Sequence, residues 1–153
     1  MNRVIVVLLF CLSITVHNIE EALFLPAWTI NNSPITISNM TFLITVIIVT
    51  IIGYTSAIFY TLKSGDTIKY IFIGYVGAMW INAFLPHILF SLLSLSYMPG
   101  TISAVLILIP IHTFIIAKFI FVDKVKIDKI IYASAICGGG LICLIAFLFF
   151  ILS

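Results

Sequence analysis

The chain has 153 residues, of which 63% are hydrophobic and only 8% are charged, and its mean hydropathy is +1.35. A water-soluble domain of this composition would have too little polar surface to cover itself, so the composition indicates a protein embedded in a lipid bilayer. The net charge of +2, without a basic run interleaved with aromatic residues, argues against a nucleic-acid partner.

Five apolar segments are each long enough to cross the hydrocarbon of a membrane as a helix, which takes about 20 residues. The sequence therefore predicts an all-α polytopic membrane protein that forms a single helical-bundle domain over residues 1–153. The first segment begins like a signal peptide, but it continues into His17 without a small-residue cleavage site, so we expect it to be retained. The predicted helices span residues 4–24, 40–62, 69–95, 101–122 and 129–152.

The basic residues predict the orientation of these helices. All seven lie on or beside the same face if the N-terminus is cytoplasmic, and cytoplasmic loops carry an excess of Lys and Arg. The C-terminus is then expected outside. The Ile-rich composition, with Lys at six of the seven basic positions, favours a bacterial cytoplasmic membrane, with the chain as a multi-pass protein of the cell membrane. The basic residues are Arg3, Lys63, Lys69, Lys118, Lys124, Lys126 and Lys129.

The last segment carries small residues, including Ala135 and Cys143 four residues on either side of Gly139. Small residues at this spacing let two helices approach closely, which indicates a packing face. The Gly138–Gly140 face of this helix is also where we would expect contact with a second copy of the chain in a homo-oligomer.

The most unusual stretch is His17-Asn18-Ile19-Glu20-Glu21, which places a histidine and both glutamates of the chain in the first apolar segment. Charged groups at membrane depth cost free energy and by default indicate a functional site. With a rise of about 1.5 Å per residue, His17 lies about 21 Å along its helix from Arg3. His87 lies about 27 Å along the third helix from Lys69. Both histidines are therefore expected in the outer half of the bilayer.

Helical spacing predicts which of these side chains share a face. His17, Glu20 and Glu21 stand at i, i+3 and i+4, which places them on one side of the helix. Asn82 and His87 are five residues apart, which separates them by about 140° in a regular α-helix. Pro86 can distort that turn, so the sequence leaves the angle between Asn82 and His87 open.

With these motifs in view, the chain resembles the integral-membrane family named for its HXXEE motif, which also has a further histidine and a YXPG motif. The corresponding residues here are His17 to Glu21, His87 and Tyr97-Met98-Pro99-Gly100, and the Phe24-Leu25-Pro26-Ala27-Trp28 stretch is also similar. The likeness covers most of the chain and implies a multi-spanning membrane protein. The family has no established biochemical function, so the resemblance supports the site without indicating its chemistry.

The types and spacing of the ligands favour a divalent metal ion such as zinc. His17 and Glu21 at i, i+4 can bind one ion from a single helical turn, and His87 is the candidate third ligand. Glu20 is then a candidate general base or a hydrogen-bond acceptor that orients a ligand. The catalytic candidates for a hydrolytic or other Lewis-acid reaction on a lipid-soluble substrate are therefore Glu20, Glu21, His17 and His87.

Other functions remain open at this stage, including whether the protein is an enzyme. A glutamate kept neutral by burial, with a histidine as partner, could serve a metal-free acid–base isomerase. Alternatively, the site could bind or transport a hydrophobic small molecule or a cation, with Trp80 and Tyr75 supplying cation–π contacts. A third possibility is purely structural, with interhelical hydrogen bonds in place of chemistry, and His112 fits this best. Asn82 and Tyr97 are expected in the surroundings of the site.

Overall fold

The computed structural model describes residues 2–33 and 36–152. Within these ranges five helices are long and apolar enough to cross a membrane, and no strand is found, so the predicted all-α class is confirmed. This architecture is compatible with a multi-pass membrane protein. The helices are α1 (Arg3–Asn32), α2 (Asn39–Leu62), α3 (Asp66–Ser94), α4 (Thr101–Phe121) and α5 (Ile127–Leu152).

Helix α1 is longer than predicted. It continues through Pro26 to Asn32, past the predicted end at residue 24. Proline removes one backbone donor from a helix, but side chains stabilise the following turns. The hydroxyl of Thr29 donates to the carbonyl of Pro26 at 2.7 Å, and the amide of Asn32 donates to the carbonyl of Trp28 at 2.9 Å. Trp28 therefore lies on a helix and not in a loop.

Helix α3 widens into a π-helical turn over Ala83–Ile88, around Pro86. The wider turn brings residues that are five apart onto the same face, whereas a regular α-helix would separate them. As a result, Nδ2 of Asn82 lies 3.5 Å from Nε2 of His87. The π-helical turn thus decides the angle that the sequence left open. A second such turn, Ala104–Leu108, lies in α4 ahead of Pro110.

Helix α3 packs against α2, α4 and α5. Its approach to α5 is close enough to require glycine. A Cβ on Gly74 would lie 2.6 Å from the carbonyl oxygen of Ala133, and one on Gly77 would lie 1.9 Å from Oγ of Ser134. The close contact between these helices therefore depends on the glycines of α3, which the sequence pattern did not indicate.

Charged groups collect at one end of the bundle. Nη1 of Arg3 lies 3.4 Å from the carbonyl oxygens of both Tyr60 and Lys63, and Lys118 forms an ion pair with Asp123. The contacts of Arg3 join the start of α1 to the end of α2, and the rings of Tyr60 and Phe119, 5.7 Å apart, join the ends of α2 and α4. The His17–Glu21 stretch lies more than three turns further along α1, towards the opposite end. The assignment of the basic end to the cytoplasm remains a prediction.

Candidate metal centre

His17 and Glu21 of α1 meet His87 of α3. Oε1 of Glu21 lies 3.0 Å from Nε2 of His87 and 4.0 Å from Nε2 of His17. One ligand atom from each of the three residues lies within 4.8 Å of the others. Both histidines are buried, and 14% of the Glu21 side chain is exposed. These are the three residues that the sequence indicates as candidate metal ligands.

The hydrogen-bond network assigns the tautomers of the two histidines. Nδ1 of His87 lies 2.9 Å from the carbonyl oxygen of Pro99, which only accepts, so Nδ1 carries a hydrogen. Nδ1 of His17 lies 3.0 Å from Oγ of Ser103, whose own hydroxyl donates to the carbonyl of Gly100 at 3.3 Å. Oγ of Ser103 therefore accepts from His17. In a neutral imidazole this leaves the lone pair on Nε2, so both Nε2 atoms face Glu21 as acceptors.

His17 carries an unsatisfied polar atom. Its Nε2 is buried and has no hydrogen-bond partner, and it is the one such side-chain atom in the part of the chain that the structure describes. Leaving a buried acceptor unsatisfied costs about 1–3 kcal/mol. The two Nε2 atoms and Oε1 of Glu21 thus converge. Nδ2 of Asn82 is a weak donor to Nε2 of His87 at 3.5 Å, whereas Nε2 of His17 has no donor. A cation at this point, either a metal ion or a shared proton, would satisfy the arrangement.

The donor set fits a divalent metal ion. Imidazole nitrogens and carboxylate oxygens bind Zn²⁺ at about 2.0–2.2 Å, and tetrahedral ligands at that distance lie about 3.4 Å from one another. This value falls between the 3.0 Å and 4.0 Å that separate Oε1 of Glu21 from the two Nε2 atoms. The Nδ1 contacts of both histidines match the hydrogen bonds that orient imidazole ligands at metal sites in general.

Glu20 faces a different neighbour from Glu21. Its Oε1 accepts from the hydroxyl of Tyr97 at 2.5 Å and from the backbone N–H of Gly100 at 3.0 Å. Its Oε2 accepts from the backbone N–H of Ser103 at 2.7 Å. A carboxylate is favourable at the N-terminus of a helix, where backbone donors lack partners. Glu20 therefore anchors the start of α4, and these contacts direct it away from the three candidate ligands.

The turn Tyr97–Gly100 forms a wall of the centre. Gly100 has a φ of 94°, which favours glycine, and a Cβ there would lie 2.5 Å from Cε1 of His87 and 3.2 Å from Cγ of Glu21. Partial burial and the hydrogen bond to Glu20 raise the pKa of Tyr97 to about 12, so this side chain stays protonated as a donor at neutral pH. The turn thus holds α1 and α3 in register at the centre.

Some residues that the sequence placed around the site lie elsewhere. Asn82 contacts His87, as described, but the indole of Trp80 donates to Oγ1 of Thr113 in α4 at 2.9 Å. The hydroxyl of Tyr75 donates to the carbonyl of Val49 in α2 at 2.6 Å. These contacts join helices and do not bring Trp80 or Tyr75 to the carboxylates.

His112 joins three helices. Its Nδ1 lies 2.9 Å from the carbonyl oxygen of Val76 in α3, and its Nε2 lies 3.0 Å from Oγ of Ser13 in α1. His112 is fully buried, and both of its ring nitrogens have partners. It therefore makes the interhelical hydrogen bonds that the sequence led us to expect.

Sequence reasoning missed two groups that orient the histidines. The carbonyl of Pro99 belongs to a stretch that the sequence indicates only as a turn, although its place in the YXPG motif was a usable signal. Ser103 carries no signal of its own, because its contact with His17 spans 86 residues and exists only after α1 and α4 pack.

An apolar cavity of about 390 Å³ reaches the centre from the interior of the bundle. Residues of α1, α2, α3 and α5 line it, and Glu21 is the member of the candidate centre that lies on its surface. Asn18 and Asn82 line the same cavity. The cavity therefore offers an apolar space with a polar end at Glu21.

Comparison with known proteins places the chain among relatives without an assigned activity. The model of a family described as "Protein of unknown function with HXXEE motif" matches residues 8–115. The chain is 35% identical over 145 residues to "Uncharacterized protein YrkK" of Bacillus subtilis (strain 168), and the alignment covers 92% of this chain and 90% of that protein. No solved structure matches. The chain belongs to the HXXEE family.

Proposed function

We propose that His17, Glu21 and His87 bind a divalent metal ion, with zinc as the first candidate, and that the protein is a metal-dependent hydrolase of a lipid-soluble substrate. The observation that carries this proposal is the convergence of two Nε2 lone pairs on Oε1 of Glu21. One of them, on His17, is buried without a partner. A metal ion supplies the positive charge that this arrangement lacks.

The residues of the chain have separate roles in this proposal. A divalent ion supplies Lewis-acid polarisation of a carbonyl oxygen and makes a water molecule more acidic. His17 and His87 hold the ion, and Ser103 and the carbonyl of Pro99 fix the orientation of their rings. Glu21 contacts both the imidazole cluster and the cavity, so a substrate in the cavity would meet the centre at Glu21.

The proposal includes a location for the chemistry. The basic residues gather at one end of the bundle, and the centre lies towards the other end. By the positive-inside rule, this supports a centre in the outer half of the cell membrane. The apolar surfaces of the five helices support insertion in the bilayer. A substrate dissolved in the outer leaflet would then reach the centre without crossing the membrane.

Elemental analysis of the purified, detergent-solubilised protein tests the metal. We expect about one equivalent of zinc per chain after reconstitution, and less than about a tenth in His17→Ala and in His87→Ala, because each removes one of three ligands. His112→Asn is the matched control, since it changes a buried histidine outside the centre, and it should retain the metal. Less than a tenth of an equivalent of every divalent metal in the wild-type protein would overturn the proposal.

Activity tests the hydrolytic step. Turnover of lipid esters or amides should stop when a chelator removes the metal and return when zinc is added back. The chelated protein should keep its helical circular dichroism, so that the loss is not due to unfolding. Turnover that survives full removal of the metal would contradict a metal-dependent reaction.

One observation favours a second candidate, a metal-free acid–base isomerase. Nε2 of His87 and Oε1 of Glu21 lie 3.0 Å apart, which is a hydrogen-bond distance if the pair shares a proton. Such a pair could move a proton at a carbon atom of a hydrophobic substrate. This candidate predicts product formation by the chelated protein and loss of that activity in Glu21→Gln.

A further inference from the structure

We propose that the substrate is a single-chain lipid with an acyl carbonyl, whose chain lies in the cavity while its carbonyl accepts from the amide of Asn82, next to the candidate centre. This inference rests on the proposed function, because it assigns the substrate class of the same centre. It follows from the distribution of polar groups around the cavity, from the dimensions of the cavity and from the position of its opening.

The charged and amide side chains of the cavity wall come from α1 and α3, on the side of the candidate centre. Glu21 is the one charged side chain among the described lining residues, and the amides of Asn18 and Asn82 lie near it in the same wall. The other polar lining side chains are satisfied within their own helices. The hydroxyl of Thr45 donates to the carbonyl of Thr41, and that of Ser134 donates to the carbonyl of Ile130, each at 2.8 Å. A polar group on the ligand would therefore find partners only in the part of the wall around Glu21.

The dimensions suit one lipid chain. The lining residues of α5 extend from Ser134 to Phe149, which is about 22 Å along a helix. The hydrocarbon of one leaflet is about 15 Å thick, so this length accommodates a single acyl chain. The volume of about 390 Å³ is near the lower limit of ligand cavities, which favours one chain over a two-chain phospholipid.

The cavity is open where its lining residues are exposed. Leu85 of α3 and Ile142 of α5 line the cavity and are 57% and 70% exposed. Apolar side chains at this mouth would face hydrocarbon in a membrane-embedded protein. A lipid chain can therefore enter sideways from the bilayer, with its carbonyl following towards Glu21.

Two adjacent glycines of α5 provide a matched pair of variants. Gly139 lines the cavity and Gly140 does not. A Cβ added to either residue meets no atom within 4 Å, so both positions have room for a larger side chain. A phenylalanine at residue 139 should fill the cavity, whereas one at residue 140 should leave it open.

Photolabelling tests the inference on the full-length protein in detergent. The probes are palmitic acid with a diazirine near the end of its chain and an alkane of the same length with the same diazirine but no carboxyl group. We expect the fatty-acid probe to label lining residues of α2 and α5, and Gly139→Phe to lower this labelling about ten-fold while Gly140→Phe stays within about two-fold of wild type. The alkane probe should label the cavity less than the fatty acid, because it lacks the carboxyl oxygens to which the amide of Asn82 can donate.

Several outcomes would overturn the inference. These are equal labelling in the two glycine variants, loss of labelling in both, equal labelling by the two probes, or labels confined to outward-facing residues of α5 such as Phe147. Two measurements separate this inference from the metal proposal. The zinc content of Gly139→Phe tests the metal centre when the cavity is filled, and the labelling of His87→Ala tests the cavity when a metal ligand is lost. A wild-type protein that binds no zinc but shows the Gly139-dependent labelling contradicts only the proposed function.

Discussion

Two neighbouring regions of the bundle bury histidines equally well but differ in what the imidazoles meet. Around His112, Nδ1 faces a carbonyl oxygen and Nε2 faces a hydroxyl, so each ring nitrogen has a partner. Around Glu21, about two helical turns beyond Ser13 along α1, two imidazoles present lone pairs to a carboxylate. Exposure is 0% for His17, 1% for His87 and 0% for His112. Burial therefore does not distinguish the regions, whereas the unsatisfied Nε2 of His17 does.

The largest expected effect separates the two adjacent glutamates. Glu21→Gln should lower zinc affinity by about 100-fold or more, because it removes the negative charge from a metal ligand. Glu20→Gln should lower it by less than about ten-fold, because Glu20 binds the start of α4 and does not bind the ion. Competition with a chromophoric chelator measures both affinities. A larger loss in Glu20→Gln than in Glu21→Gln would contradict the assignment of Glu21 as the ligand.

A smaller effect is expected from the group that orients His17. Ser103→Ala removes the acceptor of the Nδ1 hydrogen, and loss of such a contact typically costs about 10–100-fold in metal affinity. The exposed Ser94→Ala provides a serine control whose affinity should not change, since its hydroxyl contacts only its own loop. Equal affinities of Ser103→Ala and Ser94→Ala would remove Ser103 from the centre.

The smallest expected effect on zinc is at His112. His112→Asn loses the hydrogen bond to Ser13, and this should lower the free energy of unfolding by about 1–3 kcal/mol without changing the zinc content. Denaturation in mixed micelles, followed by circular dichroism, measures the stability, and elemental analysis measures the metal. Loss of zinc from a folded His112→Asn protein would erase the distinction between the two regions.

The sequence predicts most of the fold because the solvent is apolar. A run of about 20 apolar residues is a local property, and in hydrocarbon its backbone has to form its own hydrogen bonds, so the five helices follow directly. The prediction was wrong at the end of α1, which continues through Pro26 to Asn32 and not only to residue 24. Thr29 and Asn32 provide local hydrogen bonds that allow the helix to continue, and these depend on rotamers that composition does not show.

The candidate ligands were also available from the sequence, because residue type and helical spacing are enough to select His17 and Glu21. The different roles of Glu20 and Glu21 could not be predicted from the sequence, since both residues lie on the same predicted face of the helix. The start of α4 decides it by presenting backbone donors to Glu20. The role of Ser103 could not be predicted either, because its partner, His17, comes from a distant part of the chain.

The sequence by itself determined the five apolar helices, the presence of a His–Glu stretch at depth in the first of them and the family to which the chain belongs. Only the tertiary structure decided that His87 turns towards Glu21, that both Nδ1 atoms donate elsewhere and that an apolar cavity ends at the same carboxylate. Hydrophobic length is encoded locally, whereas the direction of a side chain and the partner of each polar atom arise from the π-helical turn and from contacts between distant helices.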